Sequence, residues 1–210
     1  MTPFIKICGL RTPEMVDVCV ALDVGAVGFV FAPKSPRYIS PADARLLVER
    51  VPPSIEAVGV FQGETVESIV AQLAEAGIGT AQLHGSYTRD DVARLEATGL
   101  RVIRARSVSE FLREEPVPGR MLIDGDAPGS GAEFPAQLLA GRALPEGWIL
   151  AGGLTPENVG RRVRELGASG VDVSSGVESA PGVKDTGAIR DFVAAARAAS
   201  AAATAEAGRT

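Results

Sequence analysis

The sequence has few cysteines and histidines and no long apolar run, and each shortage excludes a class of protein. It contains two cysteines and one histidine among 210 residues. These are too few for a zinc cluster or a disulfide framework. No apolar run approaches the roughly 18 residues that a helix needs to span a bilayer. We therefore expect no bound metal and no association with a membrane.

Positive charge is scarce as well. Lysine and arginine number 21 against 26 aspartates and glutamates, which gives a formal net charge of −5. A protein of this charge is a poor match for nucleic acid or for an anionic membrane surface. The first residues, Met1–Lys6, also lack the basic region and the apolar stretch of a signal peptide. These features indicate an acidic, globular, cytoplasmic protein.

Glycine is the residue in excess, and it accompanies a repeated pattern. It makes up 24 of the 210 residues, which is about 11% against an average of roughly 7%. Short apolar runs recur about every 26 residues, and a stretch of helical pattern follows each of them. The eight strand candidates are Phe4–Cys8, Ala26–Phe31, Ile55–Phe61, Thr80–Leu83, Leu100–Ala105, Arg120–Asp124, Trp148–Ala151 and Gly170–Val173.

The character of these runs predicts the fold. Several are almost continuously apolar, as strands are when both faces of a parallel sheet are buried. Capping residues followed by proline, as in Thr12–Pro13, mark helix starts between them, and the weakest predicted helix is Pro135–Leu139. Eight strand-and-helix units favour a single-domain (β/α)8 TIM barrel of the α/β class over an open doubly wound sheet. We expect the barrel to span residues 1–202 and residues 203–210 to be frayed or disordered.

Active sites of TIM barrels lie at the carboxyl ends of the strands, so polar residues there are candidates for catalysis. Cys8 ends the first strand and Asp124 ends the sixth. A thiolate accepts protons well, and a carboxyl group whose pKa is raised by burial donates them. Lys6 lies on the same strand face as Cys8 and supplies a cation that would favour the thiolate. A buried cysteine with only a packing role is the alternative for Cys8, and it is our interpretation of Cys19.

Glycine-rich turns follow the seventh and eighth strands. The first contains Gly152 and Gly153, and the second contains Ser174, Ser175 and Gly176. Backbone without a Cβ can approach a phosphate closely, and N–H groups at helix starts donate to it. Phosphate recurs at this pair of loops in TIM barrels. Tight turns alone would explain either loop, but the two loops together predict a phosphate site.

Two other strand ends carry candidate substrate contacts. Arg37 lies in the loop after the second strand, where a guanidinium fork would hold a substrate carboxylate. His84 is the only histidine and ends the fourth strand, where it could orient a substrate or titrate near neutral pH. A solvated charge for Arg37 and a structural hydrogen bond for His84 are equally compatible with the sequence.

Seven stretches, spread from residue 5 to about residue 192, form a recognisable set. They are Lys6–Leu10, Gly28–Ile39, Val58–Phe61, Gln82–Gly85, Leu150–Val159, Gly170–Glu178 and Gly182–Asp185. Together they resemble the phosphoribosylanthranilate isomerase family, whose members are TIM-barrel enzymes of tryptophan biosynthesis. The long second stretch and the last two are specific enough that a chance match is not a serious competitor.

The resemblance implies a reaction and a role for each candidate residue. The reaction is the Amadori rearrangement of N-(5-phosphoribosyl)anthranilate to 1-(2-carboxyphenylamino)-1-deoxyribulose 5-phosphate, and it needs no cofactor because the imine is the electron sink. Asp124 would be the general acid and Cys8 the general base. Arg37 would hold the anthranilate carboxylate, His84 and Asp172 would bind the substrate, and the two glycine-rich loops would bind its phosphate. The expected assembly is a monomer or a homodimer.

One loop departs from the family pattern. After the acidic residue, the family usually has Gly-Gly-Ser/Thr-Gly-Lys-x-Phe-Asp-Trp, whereas this chain has the segment Pro128–Ala136, which lacks the Lys, Asp and Trp. Asp126 offers a second carboxylate close to Asp124. Asp124 directly follows the apolar strand, as the family's acid does, and is therefore our choice.

Three other functions compete with this interpretation. The related aminoaldose isomerase of histidine biosynthesis shares the fold and the chemistry, but it has an aspartate where Cys8 stands, and an enzyme that accepts both substrates is a variant of this alternative. A phosphosugar-binding barrel without catalysis would not require both Cys8 and Asp124. A redox or metal-binding role for Cys8 is disfavoured because no other cysteine or histidine has ligand spacing.

Overall fold

Eight parallel strands close into a barrel in the computed structural model of the chain. The structure describes residues 3–113, 119–125, 136–139, 142 and 144–207. The strands are β1 (Phe4–Cys8), β2 (Ala26–Val30), β3 (Glu56–Phe61), β4 (Thr80–His84), β5 (Arg101–Ser107), β6 (Arg120–Asp124), β7 (Ile149–Leu150) and β8 (Gly170–Val173). Each strand pairs with the next along the chain, and β8 pairs with β1 to close the ring. The predicted TIM barrel is thus confirmed.

Helices alternate with the strands and cover the outside of the barrel. The α-helices of the described residues are α1 (Pro13–Ala21), α2 (Pro41–Val48), α3 (Val66–Ala76), α4 (Arg89–Ala97), α5 (Val108–Arg113), α6 (Val159–Leu166) and α7 (Thr186–Ala207). Helix α1 begins as its sequence predicts, because the Thr12 hydroxyl caps the backbone N–H of Met15. The weak helix expected near residue 135 is only a 3₁₀ turn, Ala136–Leu139.

Helix α7 continues to Ala207 and so enters the segment that the sequence predicts to be frayed. The end of the barrel domain at residue 202 stays a prediction. Asp126 and most of the divergent segment Pro128–Ala136 lie outside the described residues. Within the part of the chain that the structure describes, no helix is both long and apolar enough to cross a membrane.

The strands separate two cores because successive side chains point to opposite faces. Side chains such as Ile7, Phe29 and Val171 point outward and pack against the helices in one large apolar cluster. Those that point inward form a second, smaller cluster inside the barrel: Ala26, Val58, Ile103, Ala105, Leu122, Ile149 and Ala151. Apolar side chains therefore fill part of the interior, which also contains buried polar side chains of Lys6, Gln82 and Asp172.

Polar side chains close the amino-terminal end of the barrel. The Glu56 carboxylate accepts hydrogen bonds from the Thr80 hydroxyl at 2.7 Å and from the Arg120 guanidinium, and Arg101 lies 3.3 Å from it. Arg120 also stacks over the Phe4 ring, 4.3 Å from its centroid. Paired charges therefore occupy the amino-terminal end of the barrel, opposite the rim at which the strands end.

Candidate active site

The carboxyl ends of the strands bring the predicted catalytic residues to one rim. Cys8, His84 and Asp124 are the last residues of β1, β4 and β6. The turns that contain Gly153 and Ser175 follow β7 and β8 at the same rim. Residues up to 167 positions apart in the sequence therefore meet at one opening.

A buried ion pair lies directly beneath this rim. Lys6 is completely buried, and its ammonium donates a hydrogen bond of 2.9 Å to Asp172. The two residues are register partners across the β1–β8 seam, which places their side chains side by side. Burial opposes the charge on Lys6, but the negative charges of Asp172 and Cys8 raise its pKa above the ordinary value. Lys6 is thus a fixed cation inside the barrel.

The Cys8 thiol shares this pocket with Lys6. A Cβ added to Gly28 would lie 2.9 Å from Cys8 Sγ and 3.2 Å from Lys6 Nζ, so both groups use space that only glycine leaves open. Burial raises the pKa of Cys8 above its ordinary value, while the charges of Lys6 and Lys184 offset part of this rise. The cation expected beside the thiol is present, but without a ligand it does not outweigh the effect of burial.

Asp124 is placed to hold a proton near neutral pH. Burial and the nearby charge of Asp172 raise its pKa to about 6. Its Oδ1 atom is buried and has no hydrogen-bond partner. Gly152, with φ +89°, is the residue that makes room, since a Cβ there would overlap Asp124 Oδ1 and the backbone nitrogen of Gly125. The sequence assigns Gly152 to phosphate alone, and the structure adds that it accommodates the acid.

His84 is held by Gln82, for which the sequence predicts no role. The Gln82 side-chain nitrogen lies 2.7 Å from Nε2 of His84. Burial and the positive charge of Lys6 lower the pKa of His84 to about 4, so its ring is neutral at pH 7. In this orientation of the Gln82 amide, its N–H donates to Nε2, which assigns the proton of the neutral ring to Nδ1. The lowered pKa does not support the expectation that His84 titrates near neutral pH. His84 is instead a neutral hydrogen-bonding group.

Arg37 is neither solvated nor free. Its Nε and Nη2 atoms donate to the two carboxylate oxygens of Glu178 at 2.7 and 2.8 Å. Glu178 also accepts a hydrogen bond of 2.7 Å from the buried ammonium of Lys184. Glu178 and Lys184 belong to stretches that the sequence matches to the family, but nothing local indicates that they contact Arg37.

The two glycine-rich loops are joined to each other and to β1. A Cβ on Gly176 would overlap the backbone carbonyl of Leu154, so the loop after β8 packs directly against the loop after β7. Asn158 braces the first loop by donating to the Gly153 carbonyl and accepting from the Thr155 N–H, both at 2.8 Å. The Ser174 hydroxyl of the second loop donates to the Cys8 carbonyl at 3.1 Å. A phosphate site here would thus be built onto the strand that carries the thiol.

Comparison with known proteins identifies the family. The family model for N-(5'-phosphoribosyl)anthranilate (PRA) isomerase matches residues 5–195. The enzyme of this name from Paracoccus denitrificans is 44% identical over 191 residues, which cover 83% of this chain and 88% of that protein. The chain belongs to the PRA isomerase family. The resemblance and the enzyme class that the sequence indicates, an isomerase of tryptophan biosynthesis, are confirmed.

Solved structures of PRA isomerases share the same fold. TrpF from Jonesia denitrificans has a TM-score of 0.84 at 41% identity, with 94% of this chain and 98% of that chain covered. A PRA isomerase in complex with reduced 1-(o-carboxyphenylamino)-1-deoxyribulose 5-phosphate has a TM-score of 0.80 at 34% identity, with 94% and 100% covered. The crystal structure from Thermotoga maritima has a TM-score of 0.82 at 35% identity, with the same coverage.

The steric role of Gly152 predicts a defect in turnover rather than in phosphate binding alone. Gly152→Ala should displace the Asp124 carboxyl, and a displacement of about 1 Å in a catalytic group costs on the order of 10²-fold in rate. The matched control is Gly63→Ala, because Gly63 has a similar φ of +94° but open space around its Cβ position. Steady-state kinetics should show a lowered kcat for Gly152→Ala only; equal kcat values in the two variants would contradict the steric argument.

The environment of His84 predicts that its imidazole stays neutral over the physiological range. Because it is the only histidine in the chain, ¹⁵N NMR of the imidazole nitrogens reports on this residue without ambiguity. We expect no titration between pH 5 and 8 and a proton on Nδ1. A titration midpoint near the ordinary value of about 6.5 would show that burial and the charge of Lys6 do not lower the pKa of His84.

Proposed function

We propose that this chain converts N-(5'-phosphoribosyl)anthranilate to 1-(2-carboxyphenylamino)-1-deoxyribulose 5-phosphate, the rearrangement for which its family is named. One observation carries the proposal. The Asp124 carboxyl, with a pKa raised to about 6, and the Cys8 thiol, flanked by Lys6, open into one mouth of the barrel. An acid and a base at one rim are what an aldose–ketose isomerisation requires.

Asp124 acts first, as the general acid. Its proton goes to the ring oxygen of the ribose while the bond between that oxygen and C1' breaks. The lone pair of the anthranilate nitrogen forms the imine, so the positive charge develops on the substrate and no cofactor is needed. The unpartnered Oδ1 and the raised pKa of Asp124 both favour a protonated carboxyl that is ready to donate.

Cys8 acts second, as the general base. Its thiolate removes the proton from C2' of the open-chain imine, and the electrons of that bond move to the imine and give an enolamine. Ketonisation then moves the proton of the 2'-hydroxyl oxygen to C1' by way of the active-site acids, so that substrate and product are isomers. The ammonium of Lys6 beside Cys8 stabilises the thiolate, which burial alone would disfavour.

The remaining candidate residues hold the substrate. Arg37 binds the anthranilate carboxylate, and His84 donates through Nδ1 to a substrate oxygen. Asp172 faces the ribose hydroxyls with the side of its carboxylate that Lys6 does not occupy. The phosphate lies between the two glycine-rich loops, against the backbone N–H groups of these residues: Gly152, Gly153, Ser174, Ser175 and Gly176. The direct packing of one loop on the other supports this assignment of the phosphate site.

Location and assembly are part of the same proposal. A cytoplasmic location suits a mechanism that needs a reduced thiol, and Cys8 and Cys19 are both free. The structural relatives include a dimeric PRA isomerase from Thermotoga maritima and monomers generated from it. We propose a monomer or a homodimer, which light scattering of the purified protein distinguishes.

Replacement of the acid or the base tests the proposal. General acid–base groups contribute roughly 10²–10⁴-fold in rate each, so Cys8→Ala and Asp124→Asn should lower kcat by about that factor while the affinity for the substrate changes far less. Loss of anthranilate fluorescence measures turnover. Asp126→Asn is the matched control and should be mild.

Three results would contradict these assignments. Normal turnover by Cys8→Ala would leave the thiol with a packing role only. A large loss of turnover in Asp126→Asn together with normal turnover in Asp124→Asn would identify Asp126 as the general acid. Turnover of the aminoaldose of histidine biosynthesis in place of phosphoribosylanthranilate, measured side by side, would favour the competing isomerase.

The raised pKa values of Asp124 and Cys8 also predict the direction in which kcat/KM changes with pH. The active form has Asp124 protonated and Cys8 ionised, although Asp124 has the lower pKa. Below pH 6 Asp124 is protonated and the thiolate fraction rises with pH, so kcat/KM rises as well. Above about pH 6 the loss of the Asp124 proton cancels the gain in thiolate, which gives a plateau up to the pKa of Cys8. A kcat/KM that rises tenfold per pH unit through pH 7 would contradict the raised pKa of Asp124.

A further inference from the structure

A small hairpin between β8 and α7 presents two buried charges to the active-site rim. It consists of β9 (Glu178–Ala180) and β10 (Val183–Lys184), which pair antiparallel outside the barrel sheet. The side chains of Glu178 and Lys184 are 5% and 1% exposed, although the hairpin itself is at the surface. Charged side chains are seldom buried to this degree unless each has a partner, so the contacts of this pair indicate what it does.

Glu178 occupies one edge of the Arg37 guanidinium. Its two carboxylate oxygens take hydrogen bonds from Nε and Nη2, in the parallel fork geometry that fixes the plane of the guanidinium. This contact leaves the Nη1 end of Arg37 to donate to another group. A planar cation that is held along one edge presents its other end in a single direction.

The other contacts of Glu178 and Arg37 hold this arrangement in place. The Lys184 ammonium donates to Glu178 at 2.7 Å and to the Ser174 carbonyl at 2.8 Å. The backbone N–H of Gly182 donates to Glu178 at 3.2 Å. A Cβ on Gly9 would lie 2.8 Å from Cδ of Arg37, so the stem of the arginine is packed against backbone. Hydrogen bonds from Arg37 and Lys184 lower the pKa of Glu178 although burial opposes this, so its carboxylate stays ionised.

We propose that Glu178 is a positioning residue that sets the specificity of the enzyme for a carboxylate on the aromatic amine, by holding Arg37 with its Nη1 end toward the substrate. The proposal rests on the function proposed above. Lys184 supports it by neutralising Glu178, so that the cluster of Arg37, Glu178 and Lys184 keeps one net positive charge for the incoming carboxylate. The contact from Lys184 to Ser174 ties this recognition element to the loop proposed to bind phosphate.

The test compares two stable ligands by calorimetry on each variant. The first is reduced 1-(o-carboxyphenylamino)-1-deoxyribulose 5-phosphate, and the second is the same compound without the carboxylate. The readout is the ratio of the two Kd values, which cancels any fraction of a variant that fails to fold. Glu178→Gln keeps the shape of the side chain but removes its charge, and it should reduce the preference for the carboxylated ligand by about tenfold.

Controls separate positioning from a structural role. Glu165→Gln removes a charge that pairs with two arginines of α6, Arg161 and Arg162, and it should leave the ratio unchanged. Glu178→Asp keeps the charge on a shorter side chain, and it should restore part of the preference. In an Arg37→Ala background, Glu178→Gln should have no further effect on the ratio, because Glu178 acts only through Arg37.

Each contrary outcome has a distinct meaning. An unchanged ratio in Glu178→Gln, or an equal loss of affinity for both ligands, would overturn the positioning role. An Arg37→Ala variant that keeps the full preference for the carboxylate would overturn it as well, and would remove Arg37 from the carboxylate site. Neither result would affect the proposed reaction, which fails separately if Cys8→Ala and Asp124→Asn keep normal turnover.

Discussion

The electrostatics of the active site depend on the buried ion pair between Lys6 and Asp172. A buried pair of this kind costs desolvation energy and is weak evidence for stability, so its use is better sought in the groups around it. Burial is the largest cause of the pKa shifts of His84, Cys8 and Asp124. The cation adds to the lowered pKa of His84 and opposes the raised pKa of Cys8, while the anion adds to the raised pKa of Asp124. Burial and this one pair of charges thus act together on an acid, a base and a neutral histidine.

Two glycines have roles in this site that precede any contact with a ligand. Gly28 leaves the space in which the Lys6 ammonium and the Cys8 thiol meet, and Gly152 leaves the space for the Asp124 carboxyl. A glycine-rich loop in a barrel is readily attributed to phosphate binding, and the loops after β7 and β8 suit that purpose. At Gly152, however, the backbone already requires glycine in the absence of phosphate, because the acid occupies the position of a side chain.

The sequence predicts the barrel well because both signals that it uses are local. Apolar runs of about five residues give the strands, and the last polar residue of each run gives the rim, as for Cys8 and Asp124. Partners are harder to predict, because Arg37 and Glu178 are 141 positions apart and meet only through the hairpin after β8. The pairing of Lys6 with Asp172 could have been foreseen from closure of β1 on β8, since inward-facing residues at equal depth become neighbours.

The active site raises the pKa of its acid toward neutrality and places its thiol beside a buried cation. The most direct test is a ¹³C NMR titration of the Asp124 carboxyl in the ligand-free enzyme, with the signal assigned by its loss in Asp124→Asn. The account predicts a midpoint near pH 6. A midpoint near the ordinary value of about 3.9 would contradict it, because the protonated fraction of Asp124 at neutral pH would then be roughly a hundredfold smaller.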